Sequence, residues 1–214
     1  MIKKIIYFIC LVLFFLISKA QESEAFKRIA KAGRSYKDFI PKGCDTLGMA
    51  KGDLNKDGRE DIVLALNNIS EGRIILVLFK TGSGYSLHSK ATGVLMCKEC
   101  GGNFDPYAGV IIRNGLLIIN HFGGTALKWE IKSIYTYQNN EFYLIGERQS
   151  GFRSNGSYCD KYDEFSEFSF QETNYITGQQ KLKEISGDCK LIVNKKTKVK
   201  IKPLVRMADY VQNN

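Results

Sequence analysis

The chain has 214 residues, 44% of them hydrophobic and 25% charged, with a formal charge of +9. That composition excludes a disordered chain, and the length suits one domain with a proper core better than two. The positive balance asks about acidic partners and says nothing about fold.

The first twenty residues, MIKKIIYFICLVLFFLISKA, differ in character from the remainder of the chain. Lys3 and Lys4 precede an apolar run of 13 residues from Ile5 to Ile17, and Ser18-Lys19-Ala20 closes it. This is the basic, apolar, small-residue order of a secretory signal peptide, and the run is short of the roughly 20 residues of a spanning helix. Residues 1–20 are therefore expected to be a signal peptide, and a periplasmic or secreted protein is expected to begin near Gln21. The membrane would be met only through that segment before cleavage. Losing Lys3, Lys4 and Lys19 takes the formal charge to +6, and losing Cys10 leaves Cys44, Cys97, Cys100, Cys159 and Cys189. An oxidising compartment makes disulfides the default. The preferred pairing is Cys97 with Cys100 and Cys159 with Cys189, leaving Cys44; spacing alone does not determine connectivity.

Residues 21–214 read as one all-β domain, a mostly antiparallel meander or sandwich-like fold with a short N-terminal helix. Ala25, Phe26, Ile29 and Ala30 recur at helical spacing, with Gly33 as the expected end. Beyond Pro41 the segments 62–66, 73–79 and 116–120 are apolar and β-branched, separated by turn-forming GSGY (82–85) and RNG (113–115). Residues 127–147 predict a hairpin: Trp129, Ile131, Ser133, Tyr135 and Tyr137 share one face, residues 138–140 turn, and 142–145 return. Residues 166–185 repeat the pattern with TGQ as the turn.

Between Gly52 and Leu66 the sequence reads GDLNKDGREDIVLAL. Asp53, Asn55 and Asp57 occupy positions 1, 3 and 5 of a calcium loop, Gly58 the sharp bend at 6, Arg59 the backbone carbonyl at 7, and Asp61 position 9. Alternating oxygen donors suit a hard cation, and three carboxylates within nine residues repel one another without one. The twelfth position is Leu64 and a strand follows, so the loop is not an EF-hand. The competing reading is a metal-free Asx turn.

This D-x-N-x-D-G-x-x-D pattern, followed directly by an apolar strand, resembles the calcium loop of FG-GAP or VCBS-type repeats. The resemblance implies one calcium ion held by Asp53, Asn55, Asp57 and Asp61 side chains and the Arg59 carbonyl. More loosely, residues 39–66, 135–147 and 191–204 resemble exported, VCBS-repeat-containing proteins of Gram-negative, Bacteroidota-like bacteria, which carry a bulky residue where this chain has Cys44. No activity follows from it. A closed propeller needs several blades of roughly 40 residues, and this chain has one loop, so a propeller is excluded.

Other chemistry is thinner. Cys97-Lys98-Glu99-Cys100 reads as a structural disulfide, since a redox dithiol lacks its βαβ context and a zinc half-site lacks a second close pair. Of two histidines, His88 is expected to be exposed, and His121, after an apolar strand, is the more specific candidate. Glu99, Asp105, Glu130 and Glu141 supply carboxylates without a spacing that selects a hydrolytic pair. Residues 181–206 hold nine Lys or Arg against Glu184 and Asp188. The Lys-apolar alternation from Lys198 to Lys202 predicts a lysine-protected edge strand, with an acidic partner as the alternative. These features favour a non-catalytic binding module of the cell envelope, facing an envelope protein or acidic glycan and no nucleic acid. A periplasmic immunity or inhibitor protein and an envelope polysaccharide hydrolase are the alternatives.

Overall fold

The computed structural model describes residues 24–154, 165–187 and 189–212. Twelve strands form two antiparallel sheets. The first has five strands: β1 (Ala32–Gly33), β2 (Cys44–Gly52), β3 (Asp61–Asn68), β4 (Gly72–Lys80) and β5 (Tyr85–Ala91), in the order β1-β5-β4-β3-β2. The second is a meander of β6 (Tyr107–Arg113), β7 (Leu116–Gly124), β8 (Leu127–Gln138), β9 (Glu141–Ser154), β10 (Phe165–Asn174), β11 (Gln179–Ile185) and β12 (Leu191–Lys198). The expected all-β, antiparallel architecture is what the chain adopts.

Alternation along β3 and β4 builds two hydrophobic layers. Val63, Ala65, Ile75 and Val77 face the second sheet, where they meet Leu117, Ile119, Tyr135, Phe142 and Leu144. Ile62, Leu64, Leu66, Ile74, Leu76 and Leu78 face the other way and are covered by Phe26, Ile29 and Phe39. Burial on both faces is why these strands read as continuous apolar runs. Phe26 and Phe39 are 0% and 1% exposed, which stabilises the covering segment by roughly 1.5–3 kcal/mol for each ring.

That segment departs from the expected helix ending at Gly33. Only α1 (Glu24–Lys27) is helical; Ala32 and Gly33 instead pair with Ser86 and Tyr85 of β5. A 3-10 turn over Tyr36–Phe39 follows, opened by a capping box between Ser35 and Asp38. Gly33 is needed for packing, because a Cβ there would stand 2.7 Å from that of Asp38. The reciprocal Ser35–Asp38 bonds cap the start of that turn.

The expected turns fall where the residue types permit. Asn114 and Gly115 both have positive φ between paired Arg113 and Leu116, and Asn139 and Asn140 do so between Gln138 and Glu141. Two left-handed residues in a two-residue loop match strand twist, so each hairpin closes tightly. Residues 129 to 137 alternate as expected, with Ser133 and Tyr135 on the buried side. Strand β2 lies against β6, where Gly48 makes room for the Tyr107 ring and Gly52 for Ile112. That corner places the β2–β3 loop beside the β6–β7 turn.

Candidate metal centre

Gly52 and Asp61 are the last paired residues of β2 and β3, so residues 53–60 form the connecting loop. Leu54 is 1% exposed and anchors the loop in the intersheet core. The remainder is a series of Asx turns. Asp57 N and Gly58 N donate to the Asp53 carboxylate at 3.1 and 2.9 Å, and Asp57 N also reaches Asn55 Oδ1 at 3.1 Å. Arg59 N donates to Asp57 Oδ1 at 2.9 Å, and Asn55 Nδ2 to Asp57 Oδ2 at 3.1 Å. Gly58 has φ of +81° with nothing near its absent Cβ, so backbone conformation selects glycine here. Lys56 adopts a left-handed φ of 61°. Gly115 packs on the loop, its Cβ direction 3.6 Å from the Asp53 carbonyl.

Asp61 occupies a different environment. It is 0% exposed, and its carboxylate accepts from Leu54 N and Lys80 N, both at 2.9 Å. Burial raises its pKa, and the backbone hydrogen bonds counter this only partly. It thus ties the start of the loop to the end of β4 from behind. Among the described residues no three His, Cys, Asp or Glu side chains cluster as a metal site would. The fit to calcium rests on donor chemistry: Asp53, Asn55 and Asp57 are held on one turn by loop amides, each carrying a second oxygen or lone pairs beyond those bonds. Arg59 adds its carbonyl; its side chain is exposed.

Cys97 and Cys100 form a disulfide around the 3-10 turn Lys98–Gly101. Cys189 is disulfide-bonded, while Cys159 lies outside the described residues, as does its expected pairing. Cys44 is a free, half-buried thiol raised by burial, with Asn68 Nδ2 at 3.7 Å from its sulfur.

The histidines sit otherwise than expected for His88, which is half-buried and stacked on Phe79 at 4.2 Å between ring centres. His121 is fully buried; its Nε2 accepts from Met96 N at 3.2 Å, and Nδ1 has no partner among the described residues. Burial and the nearby Arg73 charge depress its pKa to about 4. The residue pair that sequence reading missed lies beside it: Arg73, 5% exposed on β4, binds Asp105 and the Met96 carbonyl. An arginine opening the apolar run RIILVLF is the one signal that pointed there. Of the four carboxylates considered for hydrolysis, Asp105 is held by Arg73, Glu130 pairs with Lys132 and Glu141 with Arg206. Glu99 lies in the disulfide turn.

No family model matches the chain, and no curated protein matches it.

Proposed function

We propose that this chain is an exported, non-catalytic binding module of the cell envelope, stiffened by one calcium ion in the β2–β3 loop. Asp53, Asn55, Asp57 and the Arg59 carbonyl would supply the ligands, with Asp61 holding the loop from behind through Leu54 and Lys80. The resemblance of the loop to FG-GAP and VCBS repeats supports this reading. The observation that carries it is the chain of Asx turns that strings Asp53, Asn55 and Asp57 along one bend. Two like charges on one bend favour a cation beside them. The ion would lock two strands and a neighbouring turn, since Gly115 abuts the loop, and would present the sheet behind them as a rigid surface.

The test is thermal melting of the exported protein with chelator and with millimolar calcium. Calcium is expected to raise Tm, and Asp57→Ala to abolish the rise while leaving the fold intact by circular dichroism. An unchanged melting curve leaves only the metal-free turn.

A further inference from the structure

We infer that the face of the second sheet turned away from the first is a binding surface for a carboxylated polysaccharide, running across β8 to β12. The inference rests on the binding-module reading and identifies its surface and ligand class.

Cross-strand partners share a face. One row therefore crosses five strands as Lys132, Arg148, Glu172, Lys181 and Lys196, four cations against one acid. At about 4.8 Å between strands the row spans roughly 19 Å. Lys132 stands directly opposite Arg148, and Lys181 opposite Lys196; like charges so placed repel, and acids of the same face offset all of them but Lys196. The acids on this face are already paired: Glu130 with Lys132 at 2.9 Å, Glu167 with Arg148 at 3.7 Å, and Glu172 with Lys181 at 2.9 Å. Lys183, Lys196 and Lys198 have no ion-pair partner among the described residues.

The strand expected over 198–202 is displaced, since β12 stops at Lys198 and residues 199–202 are not strand; edge protection accounts for the lysines of β12, which ends the sheet. It does not account for Arg148, Lys181 or Lys183, which lie on interior strands. The opposite face of the same strands is balanced, with Arg153 and Lys195 against Glu147 and Glu184. The excess charge is one-sided.

The row borders a hollow of about 770 Å³, in the range that encloses a small ligand. Arg148, Lys181, Lys196 and Lys198 line it against Glu147 and Glu172, together with the amides Asn174 and Gln179. Spaced cations with amides between them match a chain bearing one carboxylate per sugar and hydroxyls in between. A densely sulfated chain would leave the amides unmatched, and an acidic protein surface would not enter a hollow.

The experiment is calorimetric titration of the exported protein with an oligogalacturonate. Chelator is present, so that calcium at the β2–β3 loop plays no part. Expected are saturable binding at about 0.05 M salt that is lost at about 0.5 M, and no binding of a neutral glucan oligomer of equal length. The double variant Lys196→Gln/Lys198→Gln is expected to weaken binding by about tenfold with unchanged Tm, whereas Lys195→Gln on the opposite face keeps it. Absence of binding, equal loss in both variants, or tighter binding of dextran sulfate overturns the assignment, and the calcium-dependent Tm still decides the module reading separately. Release of new reducing ends from the bound uronate would support the surface and overturn the non-catalytic reading.

Discussion

Arg73 on β4 and Asp105, just before β6, join the two sheets. Arg73 Nη1 donates to Asp105 Oδ1 at 2.8 Å and to the Met96 carbonyl at 2.9 Å, while Nη2 reaches Asp105 Oδ2. The guanidinium is thereby clamped between the first sheet and the loop that carries the Cys97–Cys100 disulfide. Burial alone would raise the Asp105 carboxyl, but Arg73 together with the Tyr107 amide and the Lys98 charge holds the pKa below the usual carboxylate range.

Removing one partner of this pair is expected to be severe. Asp105→Ala leaves a side chain that is 2% exposed without its counter-charge. Breaking a wholly buried pair costs about 3–5 kcal/mol. Asp105 is 34% exposed, so a loss of about 2–3 kcal/mol is expected in urea unfolding. Replacing both residues by apolar ones of similar volume should cost less than Asp105→Ala alone.

His121 makes the protein sensitive to mild acid. Its pKa is about 4 when folded and near 6.5 when free. Unfolding therefore takes up a proton between those values. Stability from this residue is complete above about pH 6.5 and falls as pH drops toward 4, by roughly 3 kcal/mol in all. Urea midpoints measured from pH 7 to pH 4 should show this slope, and His121→Gln should flatten it. Asp105, with its lowered pKa, adds its loss only in the more acidic range.

Two substitutions separate the loop's anchor from the proposed calcium site. Asp61→Asn puts an amide group where two backbone N–H donors meet a carboxylate, and should lower stability by about 2 kcal/mol with or without calcium. Asp57→Ala should leave the calcium-free protein within about 0.5 kcal/mol of the parent, since Asp57 is exposed. Urea denaturation in chelator, repeated in calcium, resolves the two behaviours.

Non-reducing mass mapping of the oxidised, folded protein should recover Cys97 joined to Cys100 and Cys189 joined to Cys159, with Cys44 the residue that alkylates. Because burial raises the Cys44 thiol, its alkylation should be slower than that of a free thiol at the same pH and should accelerate as the pH rises. Finding Cys159 and Cys189 free in folded, oxidised protein would refute that pairing.

Much of this molecule was legible because its signals are local. Period-two alternation in 129–137, the apolar runs of β3 and β4, and the Asn-containing hairpin turns depend on neighbours in the chain, and all formed as expected. The Asx turns of 53–59 likewise follow from residues two to five apart. The N-terminal helix was overextended because helical spacing of Ala25, Phe26, Ile29 and Ala30 reports a buried face and not the pairing of Ala32 and Gly33 with β5, which draws the chain out of the helix after Lys27. His88 looked exposed because nothing near it in sequence discloses the Phe79 ring on the paired strand.

By itself the sequence determined the apolar strands β3 and β4, the hairpin of β8 and β9, the donor chemistry of the β2–β3 loop and the close cysteine pair, since each is encoded within a few residues. Only the tertiary structure decided that Asp61 turns inward to the Lys80 amide, 19 residues away, and that Arg73 meets Asp105. It alone gathered the Lys132, Arg148, Lys181 and Lys196 charges into one row. Which face a strand presents follows from alternation, but which charges stand beside one another follows from pairing and register between distant segments.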